Sequence, residues 1–399
     1  MTSGIRRVGL LSCVLFLLAS LRAFADAGVF SGNGQSLHQI TSKTIQLKSI
    51  EVVIVPGRGP FLFDGGVRGM DRAEYVCKFV LHNLSDKPED IQVGFPIDSQ
   101  FARGDVAKSA EEAAALSGQW VSEYAFIARD DSATYHVDFI HRKPEKGPGE
   151  FSSLFVWKMR FDPGQTRTLS VSYHIPISMG LSSTGKDENG SGSWSQDFAP
   201  EQFDLAMMER IGYITSTGSS WAGNVEKATF TVITQPFESY LSQRGVIEKT
   251  SESIAASKDL PDPFPAHHPW WFRTIDTPDG KPINGGFQWS YSDYKPKDTI
   301  VVSYYFTLFP QRPEETGSFL NHFMASLQPP QKPAAMLTRL REVMLATYGK
   351  QPTDPSTRAF VEHQLWYKPR ADFAVSSLTP DQKSILATID ARLRKLSGN

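Results

Sequence analysis

Cysteine is almost absent from this chain, because its 399 residues include only Cys13 and Cys77. Cys13 lies in a leader that we expect to be removed, so Cys77 would remain alone and no internal disulfide could form. A single thiol also excludes a zinc site built from several cysteines. Cys77 alternates with Tyr75 and Phe79 in a β-strand pattern, which predicts a buried, unreactive cysteine.

Long apolar runs are missing beyond the first 25 residues. The leader, residues 1–25, places Arg6 and Arg7 before an apolar run and ends in a small-x-small site. This arrangement is typical of a secretory signal peptide, with the exported chain beginning at Asp26. Beyond it, no segment contains the ~18 consecutive apolar residues of a membrane helix. The sequence therefore predicts an exported protein, periplasmic or extracellular, with no transmembrane segment after cleavage.

Enzyme motifs are missing as well. The chain has no HExxH motif, no cysteine-based ligand set and no nucleophile elbow with both glycines. His136 and Asp138 alternate on one strand face and could form an oriented base, but no nucleophile motif accompanies them. We interpret them as a half-solvated strand face. The sequence predicts no catalytic residues, no cofactor and no metal, and it favours a protein that is not an enzyme.

The chain also lacks an overall basic excess, since 41 Lys and Arg face 43 Asp and Glu. Nucleic acid is therefore disfavoured as a partner, because binding it requires a basic surface. The net charge of −2 is uneven: residues 331–399 carry +5 and residues 26–330 carry −10. The basic end favours an anionic polymer of the cell envelope, although solvated helix faces would give the same count.

Two-residue alternation of apolar and polar residues, broken by turns, dominates the chain as far as residue 310. It predicts a mostly β protein whose body, residues 26–310, is an antiparallel β-sandwich. The sequence also suggests two β halves, 37–180 and 200–310. They are separated by a Gly-, Ser-, Asn- and Asp-rich stretch at 182–195 that is typical of a flexible loop.

The pattern predicts two hairpins and one helix within this body. Residues 72–81 are predicted to pair with 90–95, and residues 151–161 with 166–175 across an Asp-Pro-Gly turn. An Ala- and Glu-rich stretch predicts a helix over 105–116 with an aspartate cap.

The period changes near residue 310. Residues 311–333 are predicted to form a Pro-rich linker, and residues 334–396 a small module of three helices. Each helix has a start or stop signal: Gly349 ends the first, Asp354 caps the second, and Thr379 opens a capping box for the third. Apolar stripes mark the faces toward the core, at Met336, Leu337, Leu340, Val343, Met344, Ile385, Leu386, Ile389, Leu393 and Leu396.

Residues 365–373, LWYKPRADF, place large aromatics beside two cations in this module. Trp366, Tyr367, Lys368 and Arg370 are therefore candidates for ligand binding. A module of this size has little apolar mass, so it also needs Trp366 to close its core. We expect Lys368 and Arg370 to lie outside that core.

The same module carries a family resemblance. The run LREVMLATYG at 340–349, then Phe360, the Trp-Tyr-Lys-Pro run at 366–369 and Phe373 resemble the YARHG domain, a small extracellular bacterial module. The resemblance covers residues 334 to about 390. It implies the structural frame of that module; of the naming motif itself only an alanine and a glycine are retained.

The body is similar to an uncharacterised family of exported bacterial proteins. The matching stretches are residues 44–53, the strand that ends in 82–87, Gly-Phe-Pro-Ile at 94–97, and 217–223. Neither resemblance implies a catalytic mechanism, and both imply an exported protein.

A second candidate site is the predicted loop 261–286, a proline-bracketed stretch with His267, His268, Trp270 and Trp271. Exposed tryptophans could stack on sugar rings, and paired histidines could bind a metal or exchange protons. The preferred interpretation is a tryptophan lid packed over the sandwich.

The combined prediction is an exported bacterial cell-envelope protein with a non-catalytic binding or scaffolding role. Its expected partner is a cell-wall polymer, engaged through the C-terminal module, or another envelope protein. The alternative is an envelope peptide or glycan hydrolase with its site in the stretch 261–286.

Overall fold

The computed structural model describes most of the body and nearly all of the C-terminal helices. The described residues are 28–31, 38–39, 41–58, 61–63, 66–68, 71–97, 109–141, 153–183, 205–247, 267–268, 271–296, 299–307, 309–310, 312–327 and 332–398. The predicted signal peptide and most of the predicted loop 182–195 lie outside these residues.

Nineteen strands are described. They are β1 (Gly28–Ser31), β2 (His38–Gln39), β3 (Ile45–Arg58), β4 (Phe61–Phe63), β5 (Gly66–Arg68), β6 (Asp71–Asn83), β7 (Glu89–Ile97), β8 (Ile127–Arg129), β9 (Asp138–His141), β10 (Ser153–Phe161), β11 (Thr166–Pro176), β12 (Ser178–Ser183), β13 (Leu205–Ile214), β14 (Val225–Ile233), β15 (His267–His268), β16 (Trp271–Ile275), β17 (Lys281–Ile283), β18 (Gly286–Tyr294) and β19 (Thr299–Thr307).

The strands form three main sheets and one small pair. A five-stranded sheet has the order β2-β1-β7-β10-β9, a seven-stranded sheet β17-β18-β14-β3-β6-β11-β8, and a second five-stranded sheet β12-β13-β19-β16-β15, while β4 pairs with β5. Six helices are described: α1 (Ala110–Glu123), α2 (Gln235–Ile247), α3 (Pro313–Ser326), α4 (Pro333–Thr347), α5 (Pro355–Glu362) and α6 (Pro380–Ser397). None of the helices in the described part of the chain combines the length and apolar character needed to cross a membrane.

The described residues divide into two compact units. Unit 1 draws on residues within 1–179, 210–244 and 275–303, and unit 2 on residues within 180–209, 245–274 and 304–399.

Aromatic side chains fill the core of unit 1 between the first five-stranded sheet and the seven-stranded sheet. Phe95 of β7 lies with its ring 5.0 Å from that of Tyr173 in β11, and Phe155 of β10 stacks 4.1 Å from Phe126. Tyr75 of β6 stacks on Tyr173 at 4.7 Å. Two sheets that face each other across such rings form a β-sandwich, so the mostly-β fold class is confirmed.

The two predicted hairpins are wrong, although their strands exist. Strand β6 pairs with β3 and β11, whereas β7 pairs with β1 and β10. Strand β10 likewise pairs with β7 and β9 rather than with β11. Each of these two connections therefore passes from one sheet of the sandwich to the other. Alternation shows which face of a strand is buried, but both a hairpin and a cross-sheet connection produce it.

Asn83 stabilises one of these crossings. It is fully buried, and its side-chain amide donates to the carbonyl oxygens of Lys87 at 2.9 Å and Asp162 at 3.0 Å. Its side-chain oxygen accepts the N–H of Ser85 at 2.9 Å. One side chain thus ties the turn after β6 to the turn after β10.

The structure does not separate the chain into the halves 37–180 and 200–310. Strands β14 and β18 of the second half lie in the seven-stranded sheet beside β3 and β6 of the first. Strand β14 pairs with β3 in parallel, which makes this sheet mixed rather than purely antiparallel.

Helix α1 confirms the predicted helix but with other limits. It begins at Ala110, capped by the Ser109 hydroxyl, which accepts the N–H of Glu112, and it continues to Glu123. The predicted aspartate cap, Asp105, lies outside the described residues.

The C-terminal helices follow their local signals closely. Helix α4 ends before Gly349, which has φ 104°; Asp354 caps α5; and Thr379 forms the predicted capping box of α6. The predicted stripes are buried in α4 and α6, except that Leu393 is partly buried and Leu396 is exposed near the chain end.

The core of unit 2 extends beyond the predicted module. Ala206, Phe272 and Tyr305, from strands, belong to the same buried cluster as the C-terminal helices. Residues 311–333, predicted as a linker, contain helix α3, whose Leu320 and Phe323 join this cluster.

Candidate functional site

The LWYKPRADF segment divides between core and surface as predicted. Trp366 is 3% exposed, and its ring lies edge-on to those of Phe309 at 6.4 Å and Tyr367 at 6.3 Å. Tyr367 is buried as well, and burial raises the pKa of its phenol. Lys368 and Arg370 are exposed. The aromatic pair thus belongs to the core, and of the four candidate binding residues the two cations are the ones at the surface.

Arg370 is partly engaged within the module. Its backbone N–H donates to the Gly349 carbonyl at 2.8 Å, and its guanidinium pairs with Asp372 at 3.1 Å. A Cβ at Gly349 would lie 2.7 Å from the Arg370 side chain. Lys368 has no ion pair among the described residues and presents its charge to solvent.

Internal ion pairs engage part of the acidic charge of the C-terminal helices. Arg341 pairs with Asp390 at 2.6 Å, and Lys350 with Glu342 at 2.9 Å, all four side chains being partly buried. Further cations lie on the exposed surface, at Lys332, Arg358, Lys368, Lys383, Arg394 and Lys395. Exposed acids lie there too, at Asp354, Glu362, Asp372 and Asp381, so with Arg370 the exposed side chains of residues 332–398 comprise seven cations and four acids.

The His- and Trp-rich stretch contains strands where the sequence suggests a loop. His267 and His268 form β15, which pairs with β16 through Phe272 and Trp271. Trp271 is fully buried with its ring 5.9 Å from that of Tyr304, so it is not a surface for stacking on a ligand. This burial agrees with the packing interpretation.

The remaining candidates of the stretch 261–286 lie outside the part of the chain that the structure describes. Trp270 and the side chains of His267 and His268 belong to the residues that the structure leaves undescribed. Among the described residues, no three His, Cys, Asp or Glu side chains come together as metal ligands. The hydrolase alternative stays a prediction.

A groove of about 390 Å³ in unit 1 was not expected from the sequence as a cavity. Helix α1 forms one wall, and β8 with the chain leading into β9 forms the other. Its lining is largely apolar, with a polar rim, and consists of Ala114, Ser117, Gly118, Val121, Phe126, Ile127, Thr134, Tyr135, His136, Val137 and Asp138.

His136 and Asp138, the pair noted in the sequence, stand at the rim of this groove. The His136 Nε2 lies 3.4 Å from the Asp138 carboxylate, and both side chains are exposed. Their exposure agrees with a solvated position, but the predicted shared strand face is wrong, because β9 begins at Asp138 and His136 lies before it.

Hydrogen bonds fix both walls of the groove. The Phe139 N–H donates to the Ser117 hydroxyl at 2.7 Å and links α1 to β9, and the Tyr135 N–H donates to the Ala128 carbonyl at 2.9 Å. Ala125, just after α1, has φ 45°, a conformation that costs energy for a residue other than glycine.

A largely buried ion pair anchors the turn that leads from β8 to Tyr135 in the groove lining. The Asp130 carboxylate pairs with the Arg167 guanidinium and accepts the Tyr135 hydroxyl at 2.6 Å. Burial would raise the pKa of Asp130, but hydrogen bonds from Tyr135, Ser132 and Ala133 outweigh it and lower that pKa to about 2. Burial, together with the hydrogen bond to Asp130, raises the pKa of Tyr135. The turn is therefore rigid and its carboxylate remains ionised.

Comparison with known proteins gives limited similarity. No family model and no curated protein matches the chain. A solved structure from Legionella pneumophila, described as that of a proposed nutrient binding protein, is 15% identical with a TM-score of 0.43, and the match covers 92% of this chain and 99% of that one.

Two M1 zinc metallopeptidase structures show weaker similarity. One, from Deinococcus radiodurans, is 8% identical with a TM-score of 0.24, and the match covers 66% of this chain and 43% of that one. The other, a two-domain enzyme bound to L-tryptophan, is 7% identical with a TM-score of 0.23, and the match covers 66% and 44%. At these TM-scores the functions of the three proteins carry no argument for this chain.

Proposed function

We propose that this chain is an exported, non-catalytic binding protein of the bacterial cell envelope. Its C-terminal helices would attach it to an anionic cell-wall polymer. The observation that carries the proposal is the distribution of charge in these helices. Seven exposed cations outnumber four exposed acids among residues 332–398, while two further acids, Glu342 and Asp390, are held in partly buried ion pairs.

The binding energy of such a surface is electrostatic. Exposed Lys and Arg side chains attract a polyanion over a distance of about one Debye length, roughly 10 Å at 0.1 M salt. The aromatic core holds the backbone that presents them, because Trp366 and Tyr367 are buried directly before Lys368. The C-terminal helices thus combine a well-packed core with positive charge at their surface. This combination suits attachment to a polyanion better than it suits catalysis.

Export and the resemblance to the YARHG domain support the same proposal from the sequence. The leader of residues 1–25 would bring the chain into the compartment where such polymers occur. The YARHG resemblance stays a prediction that agrees with an extracellular role.

Co-sedimentation with purified sacculi that retain their anionic polymers tests the proposal. The variant carries Lys368→Gln, Arg394→Gln and Lys395→Gln, which lowers the net charge of residues 331–399 from +5 to +2. We expect the exported chain to sediment with sacculi and this variant to lose most of the bound fraction.

A matched control removes three exposed lysines of unit 1, through Lys43→Gln, Lys87→Gln and Lys158→Gln. The overall change in charge is the same, so the control variant should bind like the parent. Equal binding of all three proteins would contradict attachment through the C-terminal helices. Binding that disappears after protease treatment of the sacculi would identify another envelope protein as the partner.

A further inference from the structure

The floor of the groove beside α1 exposes apolar surface that neighbouring side chains of a folded protein would normally cover. Ile127 is 47% exposed although it lies in a strand, and Phe126 and Val137 line the same depression from buried positions. Helix α1 contributes Val121 and, through Gly118, a wall without a side chain. The volume of about 390 Å³ falls within the roughly 300–1,000 Å³ typical of small-molecule sites.

The groove is formed before any ligand arrives. The bond from the Phe139 N–H to the Ser117 hydroxyl fixes the helical wall, and the ion pair of Asp130 with Arg167 fixes the opposite turn. A preformed site avoids the entropy cost of ordering its own walls on binding.

Charge at the rim selects the ligand. Among the lining residues Asp138 is the only acid, and none is Lys or Arg. The Asp138 side chain is 61% exposed, and its described partner is the His136 imidazole at 3.4 Å. A basic group could reach the Asp138 carboxylate from solvent while an apolar body covers Ile127.

An added peptide strand is a poorer occupant. One edge of β8 pairs with β11, and the chain itself occupies the other edge through the bridge between Arg129 and Thr134. The Tyr135 N–H also bonds back to Ala128. Since the main-chain groups of β8 are used on both sides, β-strand addition has no free edge there.

We propose that this groove binds a small amphipathic molecule, with its apolar body over Ile127 and Val137 and a basic amine at Asp138. This site is independent of the attachment proposed for the C-terminal helices.

Fluorescence titration with dansylcadaverine, an aromatic ring system carrying a primary amine, tests the site. The blocking variant is Gly118→Leu, because a Cβ at this position of α1 meets no atom within 4 Å and the added side chain would enter the groove. The matched control is Gly317→Leu, at an exposed glycine of α3 whose Cβ would likewise meet nothing within 4 Å.

We expect saturable binding to the exported chain and to the Gly317 variant, and at least about tenfold weaker binding to Gly118→Leu, which loses the contact with the floor. Asp138→Asn should weaken binding about three- to fivefold, as expected for one exposed ion pair. Asp86→Asn, which removes an exposed acid away from the groove, should have no effect.

Three outcomes would overturn the proposal. They are no saturable binding of dansylcadaverine, equal affinity of the two glycine variants, and affinity for N-acetylated dansylcadaverine that equals the affinity for the amine. Sacculus binding by Gly118→Leu should match that of the parent, so failure at the groove and failure of cell-wall attachment can be told apart.

Discussion

Replacing Trp366 with alanine should unfold the C-terminal helices rather than remove a binding contact. The side chain is 3% exposed and lies against the rings of Phe309 and Tyr367. It belongs to the same buried cluster as Leu340 of α4 and Ile389 of α6, so the cavity left by alanine would open in the core that these helices share.

The expected cost follows from the size of the side chain. Truncation of a buried Phe or Trp to alanine costs about 3–5 kcal/mol, because transfer energy is lost and a cavity remains. A whole domain is stable by only about 5–15 kcal/mol. The substitution therefore removes a large part of the stability of this cluster.

Hydrogen exchange read by mass spectrometry on residues 26–399 locates the effect. At about 1.4 kcal/mol per factor of ten, amides of α4 and α6 should exchange at least about a hundredfold faster. Peptides from α1, which contributes no residue to this cluster, provide the internal reference. Lys368→Ala, at the exposed neighbour of the aromatic pair, should leave the exchange of every helix unchanged.

Unchanged exchange in a Trp366→Ala protein that has lost sacculus binding would refute this reasoning. Trp366 would then be a ligand contact, and its burial would have to be relieved on binding.

Three further substitutions test other parts of the structure. The Asp130 side chain is 3% exposed, and its pKa is lowered from 3.8 to about 2. A carboxylate with a lowered pKa stabilises the fold at pH values above its unfolded-state pKa. That contribution is lost as the pH falls through the folded-state pKa. Between pH 5 and 2 the free energy of unfolding measured in urea should therefore fall about 2 kcal/mol further in the parent than in Asp130→Asn, which keeps other carboxylates with a lowered pKa, such as Asp354; equal pH profiles would contradict it. Gly349→Ala should lower the melting temperature, because φ is 104° and the new Cβ would meet Arg370 at 2.7 Å, and a variant as stable as the parent would show that the turn relaxes. Thr379→Ala removes the cap of α6 and should cost about 1 kcal/mol in chemical denaturation, whereas Thr379→Ser should cost little.

The C-terminal helices could be predicted from sequence because their signals are local. Asp354 bonds to a backbone N–H three residues away, and the capping box joins Thr379 to Gln382. Each motif is formed within a single helical turn, so the predicted starts of α5 and α6 agree with the structure. The assignment of Trp366 to the core and Lys368 to the surface follows from the small size of the module, which has little else to bury.

Partners of strands could not be predicted in the same way. The alternation in β6 correctly gives a buried Cys77, but it contains no information on which strand lies alongside. The choice between a hairpin and a cross-sheet connection is made by distant contacts, such as the bond from Asn83 to Asp162. Such a bond has no signature in the neighbouring sequence.

The groove beside α1 could be predicted from the sequence only in part. His136 and Asp138 are visible in the sequence as an alternating polar pair, but the floor is not, since tertiary packing rather than a local pattern places α1 and Ile127 at one groove. The sequence signal that could have indicated the groove is Gly118. Glycine is unfavourable in the middle of a helix, and at this position it leaves space for a ligand.

The affinity of residues 26–399 for purified sacculi, measured by sedimentation as NaCl rises from 0.1 to 1 M, tests the proposed cell-wall attachment most directly. The Debye length falls from about 10 Å to about 3 Å over this range. If surface cations hold the chain on the polymer, its affinity should therefore fall steeply as salt is added. The triple variant at Lys368, Arg394 and Lys395 should bind weakly at every salt concentration. Affinity that is independent of salt, or absent already at 0.1 M, would contradict an envelope protein attached through its cationic C-terminal helices.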